Sequence, residues 1–171
     1  MSNGLVNTRD QQFVLFEQLG IEKLFEYDAY KDFSRDDLQM ILNEAEKLAV
    51  NELAPCNKEG DEEGCHIKDG VVTVPKCFRE PFKKYAEGGW INPMDSPEVG
   101  GQGLPAAVGF AALEYFGAAN YAFSMYPGLT HGAAMLINEA GTPEQKKKYM
   151  EKLFAGEWTG TMCLTEPGAG S

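Results

Sequence analysis

Residues 162–171 read Met-Cys-Leu-Thr-Glu-Pro-Gly-Ala-Gly-Ser, a stretch whose residue types suit holding a ligand better than forming a free tail. Pro167 fixes one backbone dihedral, and Gly168 and Gly170 let backbone N–H groups turn toward a bound group. Concavities of that kind take anions or polar ring edges. Thr165 and Ser171 add hydroxyls that can donate or accept. No Gly-Lys-Ser/Thr ending follows, so the stretch is not a P-loop. On chemistry alone, a structural turn and a cofactor loop stay equally open.

Other candidates are weaker. Gly101-x-Gly103-x-x-Ala106 matches a dinucleotide fingerprint only on the surface. That fingerprint needs a strand before it and a crossover to a parallel strand after it. Here a loop rich in Pro and Asp precedes and apolar helices follow, so the glycines read as a tight loop packed against helices. Cys65-His66 lacks the second pair that a zinc site needs. "NKEGDEEGC" lacks the alternate-position carboxylates of a calcium loop and reads as a solvated loop. Glu114 lies on an apolar helix and could be a tuned carboxylate, but a satisfied core or edge role suits it better. His131 is open to substrate contact, packing or solvent. Glu166, before Pro167, reads as structural.

The elements that must place these residues are mostly helical. Asp10 is a candidate cap for a helix ending at Gly20. Ser34-x-x-Asp37 resembles a capping box. Behind it Leu38, Ile41, Leu42, Ala45, Leu48, Ala49 and Leu53 form one apolar stripe that should stop near Pro55. Asp69-Gly70 between β-prone runs predicts a hairpin. A helix follows Pro75 and ends at Gly88-Gly89, and residues 90–103 read as a long loop. Leu104 to Tyr126 is apolar on most faces, so a buried helix is predicted, broken by Pro127-Gly128. The next helix closes at Gly141, and Thr142-Pro143 starts another that ends at Gly156. "WTGTMCL" has the content of a buried strand. The expected fold is therefore mainly α: about six helices and a small hairpin, then one strand. A lone strand cannot satisfy its own backbone, so its sheet partners are expected in further chain.

Composition narrows the function classes. The 171 residues carry a net charge of -11, which argues against a nucleic-acid partner. The run Lys146-Lys147-Lys148 reads as a solvated helix face. No apolar stretch reaches the ~18 residues that span a bilayer. The N-terminal residues lack the pattern of a secretory signal, and the four cysteines form no CxxC pair. Reduced thiols and a cytoplasmic location are the expectation.

Met162 to Ser171 resembles the flavin-binding signature of acyl-CoA dehydrogenases. "SPEVGGQGLP" resembles the loop before that family's buried helix, with Val99 where Tyr is more usual, and the helix order from Ser34 to Gly156 resembles its N-terminal α-domain. "VLFEQLG", "GDEEGCHIKDGVVTVPKCFREPFKKYAEGGW" and "SMYPGLTHGA" are similar to the branch that includes methylmercaptopropionyl-CoA dehydrogenases. The resemblance implies residues 1–157 as the helical domain and 158–171 as the start of a central β-domain. It implies FAD held without a Rossmann fold, with Met162, Cys163, Leu164 and Thr165 along the flavin's pyrimidine edge. Gly170 belongs to the same loop, and Ser171 falls where flavin and acyl-CoA come close. It implies α,β-dehydrogenation of an acyl-CoA thioester, with methylmercaptopropionyl-CoA a candidate substrate. Electron-transfer flavoprotein is the implied acceptor, and the intact protein is expected to be a homo-oligomer. The helices from Leu104 to Tyr126 and from Leu129 to Ala140 would wall the acyl cavity, with Gly117, Ala118 and Ala119 making room for a tail or permitting close packing. The family's catalytic base comes from the last third of its chain, so these residues alone are expected to be inactive. The alternatives are a non-catalytic helical module that binds a protein or acyl group, and an acyl-CoA oxidase-like flavoprotein.

Overall fold

The computed structural model describes residues 4–163 and 165–170. Among them are eight α-helices and one two-stranded antiparallel sheet. Helix α1 (Thr8–Gln12) is capped by Asn7, whose side chain accepts from the Asp10 N–H. Asp10 is thus not the cap. It accepts from Asn7 Nδ2 at 2.7 Å, one turn inside. A π-helical run, Phe13–Gln18, extends α1, and Gly20 turns the chain at φ 59°.

Helix α2 (Arg35–Leu48) starts at the predicted capping box. The Ser34 hydroxyl and N–H both bond the Asp37 carboxylate and hold its pKa below the ordinary value. Pro55 does not end the helical run. A π turn over Ala49–Leu53 carries it forward, closed by Ala54 N–H to Ala49 C=O, and Pro55 becomes the first residue of α3 (Pro55–Glu63). Residues predicted as a polar loop are therefore helical. Gly60, which reads as a breaker, lets the Phe78 ring lie directly on α3.

The hairpin forms as predicted, β1 (His66–Lys68) against β2 (Val71–Thr73), with Ile67 opposite Val72. Asp69 and Gly70 turn it with φ of 52° and 77°. Helix α4 (Arg79–Glu87) tolerates Pro81 in its first turn. Helices α5 (Ala106–Ala119) and α6 (Tyr121–Ala140) form the centre. The break between them is at Asn120, with φ −160°, and Pro127 lies inside α6. Asn120 caps α6 by accepting from Phe123 N–H, while its amide donates to Leu53 C=O. Phe123, Pro127, Thr130 and Ala134 are buried at spacings of four, three and four. That one continuous face packs both halves of α6 into the same core and outweighs the helix-breaking tendency of Pro127-Gly128. Ala119 is buried between these helices, so this small residue serves close packing. Thr142 and Gln145 form a capping box for α7 (Pro143–Gln145), which continues through a π turn into α8 (Glu151–Phe154).

The core has one large cluster and a satellite. Tyr85, Trp90, Phe116 and Phe123 meet edge to face in the large one. The satellite joins the α1 end of the chain to α2 and α5 through Leu15, Phe16, Leu38, Leu42 and Val108.

Candidate functional site

The residues singled out by their chemistry sit on a short run that leaves the helical body after α8. Gly156 turns the chain at φ 72°. Trp158 N–H donates to Lys152 C=O at 3.1 Å, and the Lys152 ammonium lies 4.3 Å above the Trp158 ring. The chain then crosses α6. Gly160 N–H donates to Thr130 Oγ1 at 3.2 Å, and a Cβ on Gly160 would lie 2.6 Å from Ala133 Cβ. Two residues later the Met162 thioether covers Gly132, where an added Cβ would lie 2.6 Å from Sδ. Small residues on α6 thus let an extended backbone lie flat on the helix.

Beyond that crossing the run stands out from the body. Met162, Cys163, Thr165 and Gly170 are exposed, and none makes a hydrogen bond among the described residues. Leu164 and Ser171 lie outside the described residues. Glu166 and Ala169 exchange both backbone hydrogen bonds, at 2.9 and 3.1 Å, around Pro167 and Gly168. Glu166 therefore acts structurally through its backbone, as its place before proline suggests. Gly168 and Gly170 have open space where a side chain would be, and neither has positive φ. Their service is close approach rather than a left-handed turn. The predicted strand spans residues 158–164, and its described part, residues 158–163, makes no ladder among the described residues.

The neighbouring face of α6 is apolar and uncovered. Tyr121, Met125, Leu129 and Leu136 recur at four, four and seven residues and are all exposed. Gly132 falls within this stripe, so Met162 lies across it. A contiguous exposed apolar stripe marks a surface meant to be covered.

The family's N-terminal-domain profile, described as "Acyl-CoA dehydrogenase, N-terminal domain", matches residues 35–157. The chain belongs to the acyl-CoA dehydrogenase family. It is 37% identical over 142 residues to a 3-methylmercaptopropionyl-CoA dehydrogenase from Ruegeria pomeroyi, covering 83% of this chain and 24% of that protein. It is 35% identical over 173 residues to a butyryl-CoA dehydrogenase from Syntrophomonas wolfei, covering 99% of this chain and 28% of the relative. A broad-specificity linear acyl-CoA dehydrogenase from Mycobacterium tuberculosis is 36% identical over 173 residues, covering 100% of this chain and 28% of its own length. The chain spans about a quarter of the length of the curated relatives it matches.

Within this acyl-CoA dehydrogenase domain the remaining candidates are accounted for locally. His131 Nε2 lies 2.7 Å from Asp95 Oδ2, which fastens α6 to the loop before α5. Glu114 accepts from Gln11 Nε2 at 3.0 Å and ties α5 to α1, an edge role. Gly101 packs against the Asp95 carbonyl with no room for a side chain, and Gly103 N–H donates to that same carbonyl at 2.9 Å. The glycines of residues 101–103 therefore fold a loop. Cys65 Sγ sits 3.4 Å from Tyr126 Oη, and no metal-holding group forms among the described residues. Burial, and then the thiol contact, push the Tyr126 hydroxyl up to about 12. Cys56 and Cys77 each bond the other's carbonyl oxygen, and burial pushes the Cys77 thiol up to about 11. Thiols held so far above neutral pH carry little thiolate and are not nucleophiles in waiting. Sequence reasoning missed Thr130, Gly132, Ala133 and Gly160. The only sequence trace of their role is the small-residue run Gly132-Ala133-Ala134 facing a lone Gly160.

No helix among the described residues is long and apolar enough to cross a membrane.

Proposed function

We propose that this chain is the helical wall and flavin-facing edge of an FAD-dependent enzyme that desaturates acyl-CoA thioesters between Cα and Cβ. Helices through residue 157 form one domain, and residues 158–171 begin a β-domain. The observation that carries this reading is the exposure of Met162, Cys163 and Thr165. These three residues follow the seat on α6, and their backbone N–H and C=O groups and the Thr165 hydroxyl are not taken up among the described residues. Such a set fits the polar edge of a planar cofactor, and the open space at Gly168 and Gly170 fits close approach by a large group.

Bound FAD would supply the two-electron acceptor for the hydride lost from Cβ, with the α-proton passing to a carboxylate base as the Cα–Cβ bond becomes double. The role of Met162, Cys163 and Thr165 is to aim donors at the ring edge that gains charge. Donors fixed in advance there favour the reduced form at no cost of reorientation. The stripe of Tyr121, Met125, Leu129 and Leu136 supplies an apolar wall for an acyl tail. The 37% identity to a 3-methylmercaptopropionyl-CoA dehydrogenase supports a short thioether acyl group as the first substrate to try. The Glu114 carboxylate is taken up by Gln11, and the family resemblance places the base in the last third of the family's chain, so no residue here is assigned that role.

The test is purification of the full-length protein and assay with acyl-CoA thioesters and an artificial electron acceptor. Stoichiometric flavin absorbance and its bleaching by substrate are expected, and the 171-residue chain alone should give neither. A full-length protein that retains no flavin overturns the reading.

A further inference from the structure

We infer that Thr130 is a positioning residue for the cofactor-facing run, acting through Gly160. This rests on the reading just given, because it concerns where the proposed flavin edge is held. Thr130 is wholly buried on α6. Its hydroxyl donates to Tyr126 C=O at 2.7 Å, which fixes its rotamer along the helix. The oxygen is thereby aimed outward and accepts from Gly160 N–H at 3.2 Å. A hydroxyl that donates once and accepts once is the only simple side chain that can do both at this spot. Valine has the same shape and can do neither.

Three contacts make the seat. Thr130 holds the Gly160 amide, Ala133 closes on Gly160 Cα, and Gly132 receives the Met162 thioether. They lie on one turn of α6 and cover residues 160–162. Residues 163–170 make no hydrogen bond to the helical body among the described residues. The geometry of Met162, Cys163 and Thr165 is therefore inherited from this seat. Hydrogen bonds that must meet a ring edge tolerate little displacement, so loosening the anchor should show at the cofactor. Thr130 itself need not touch the cofactor.

The test compares Thr130→Val, Thr130→Ser and Gly160→Ala in the full-length flavoprotein and in the 171-residue chain. Serine keeps the hydroxyl. Alanine at 160 collides with Ala133 and lifts the run without altering any cofactor-facing residue. In the short chain, amide exchange at Gly160 should be slow in the wild type and in Thr130→Ser, and fast in Thr130→Val. In the full-length protein, Thr130→Val and Gly160→Ala should shift the flavin absorption envelope and weaken flavin retention by about tenfold, the equivalent of one well-made hydrogen bond. Thr130→Ser should stay near the wild type. Unchanged flavin spectra and retention in both Thr130→Val and Gly160→Ala would refute the inference, as would unprotected Gly160 in the wild type. A wild type that holds no flavin would instead sink the dehydrogenase reading, and Gly160 exchange in the short chain would still decide whether the seat exists.

Discussion

The α5–α6 centre and the run after Gly156 are built on opposite principles. In the centre, Phe123 is almost wholly buried and meets the rings of Phe78, Phe82 and Tyr85 edge to face at 5.7, 6.3 and 5.8 Å. Each side chain there is held by several others, so the structure is redundant and its strength is apolar area. Past Trp158, the described residues of the run meet the body through the Gly160 hydrogen bond, the close approach of Gly160 to Ala133 and the Met162 thioether on Gly132, and residues 163 and 165–170 are exposed. Its backbone polarity is not taken up by the body. The body is cross-braced, and the described residues of the run past Gly160 are exposed. That contrast separates residues whose loss should cost stability from residues whose loss should not.

The largest expected effect breaks the body. Phe123→Ala should cost about 3–5 kcal/mol, the range for emptying a buried aromatic site. Urea unfolding of the 171-residue chain measures it. A cost below about 1 kcal/mol would mean that the centre collapses freely and is not the rigid half of the comparison.

A middle effect is expected at Gly101, which belongs to the body although its motif reads as a ligand loop. A methyl group there meets the Asp95 carbonyl, a backbone atom that cannot swing away. Gly101→Ala should therefore destabilise by about 1–3 kcal/mol, as overpacking does. The same change should leave the Gly160 amide as protected as in the wild type. If Gly101→Ala frees Gly160, the loop and the run are one unit and the division drawn above is misplaced.

What the sequence revealed follows the same division. Helix α2 was legible because its signal is local and periodic: a capping box followed by an apolar stripe. The hairpin was legible because Asp69-Gly70 demands φ above zero. Helix α3 was hidden because Pro55 and Gly60 read as punctuation. Only the π turn before one and the Phe78 ring against the other make them helical. Local propensity places a break at Pro127-Gly128, and the buried face from Phe123 to Ala134 overrides it. At the site, the Thr-Glu-Pro and Gly-Ala-Gly-Ser pattern stands out by type. Its seat does not, because Thr130 and Gly160 are 30 residues apart and carry no period that would pair them. Small residues chosen for close approach leave almost no trace in a single sequence.

The smallest expected effect is the sharpest probe of the contrast. Met162 is half-exposed, and its packing is against Gly132, an exposed-edge position of α6. Truncating it removes little buried area and leaves no cavity inside the body. Met162→Ala should shift stability by no more than about 0.5 kcal/mol, as ordinary surface changes do. Its urea midpoint and slope should overlay those of the wild type. A loss as large as that for Gly101→Ala would show that the thioether belongs to the folding core. The run would then have a structural reason to exist, and its exposed backbone would lose its force as a sign of something to be bound.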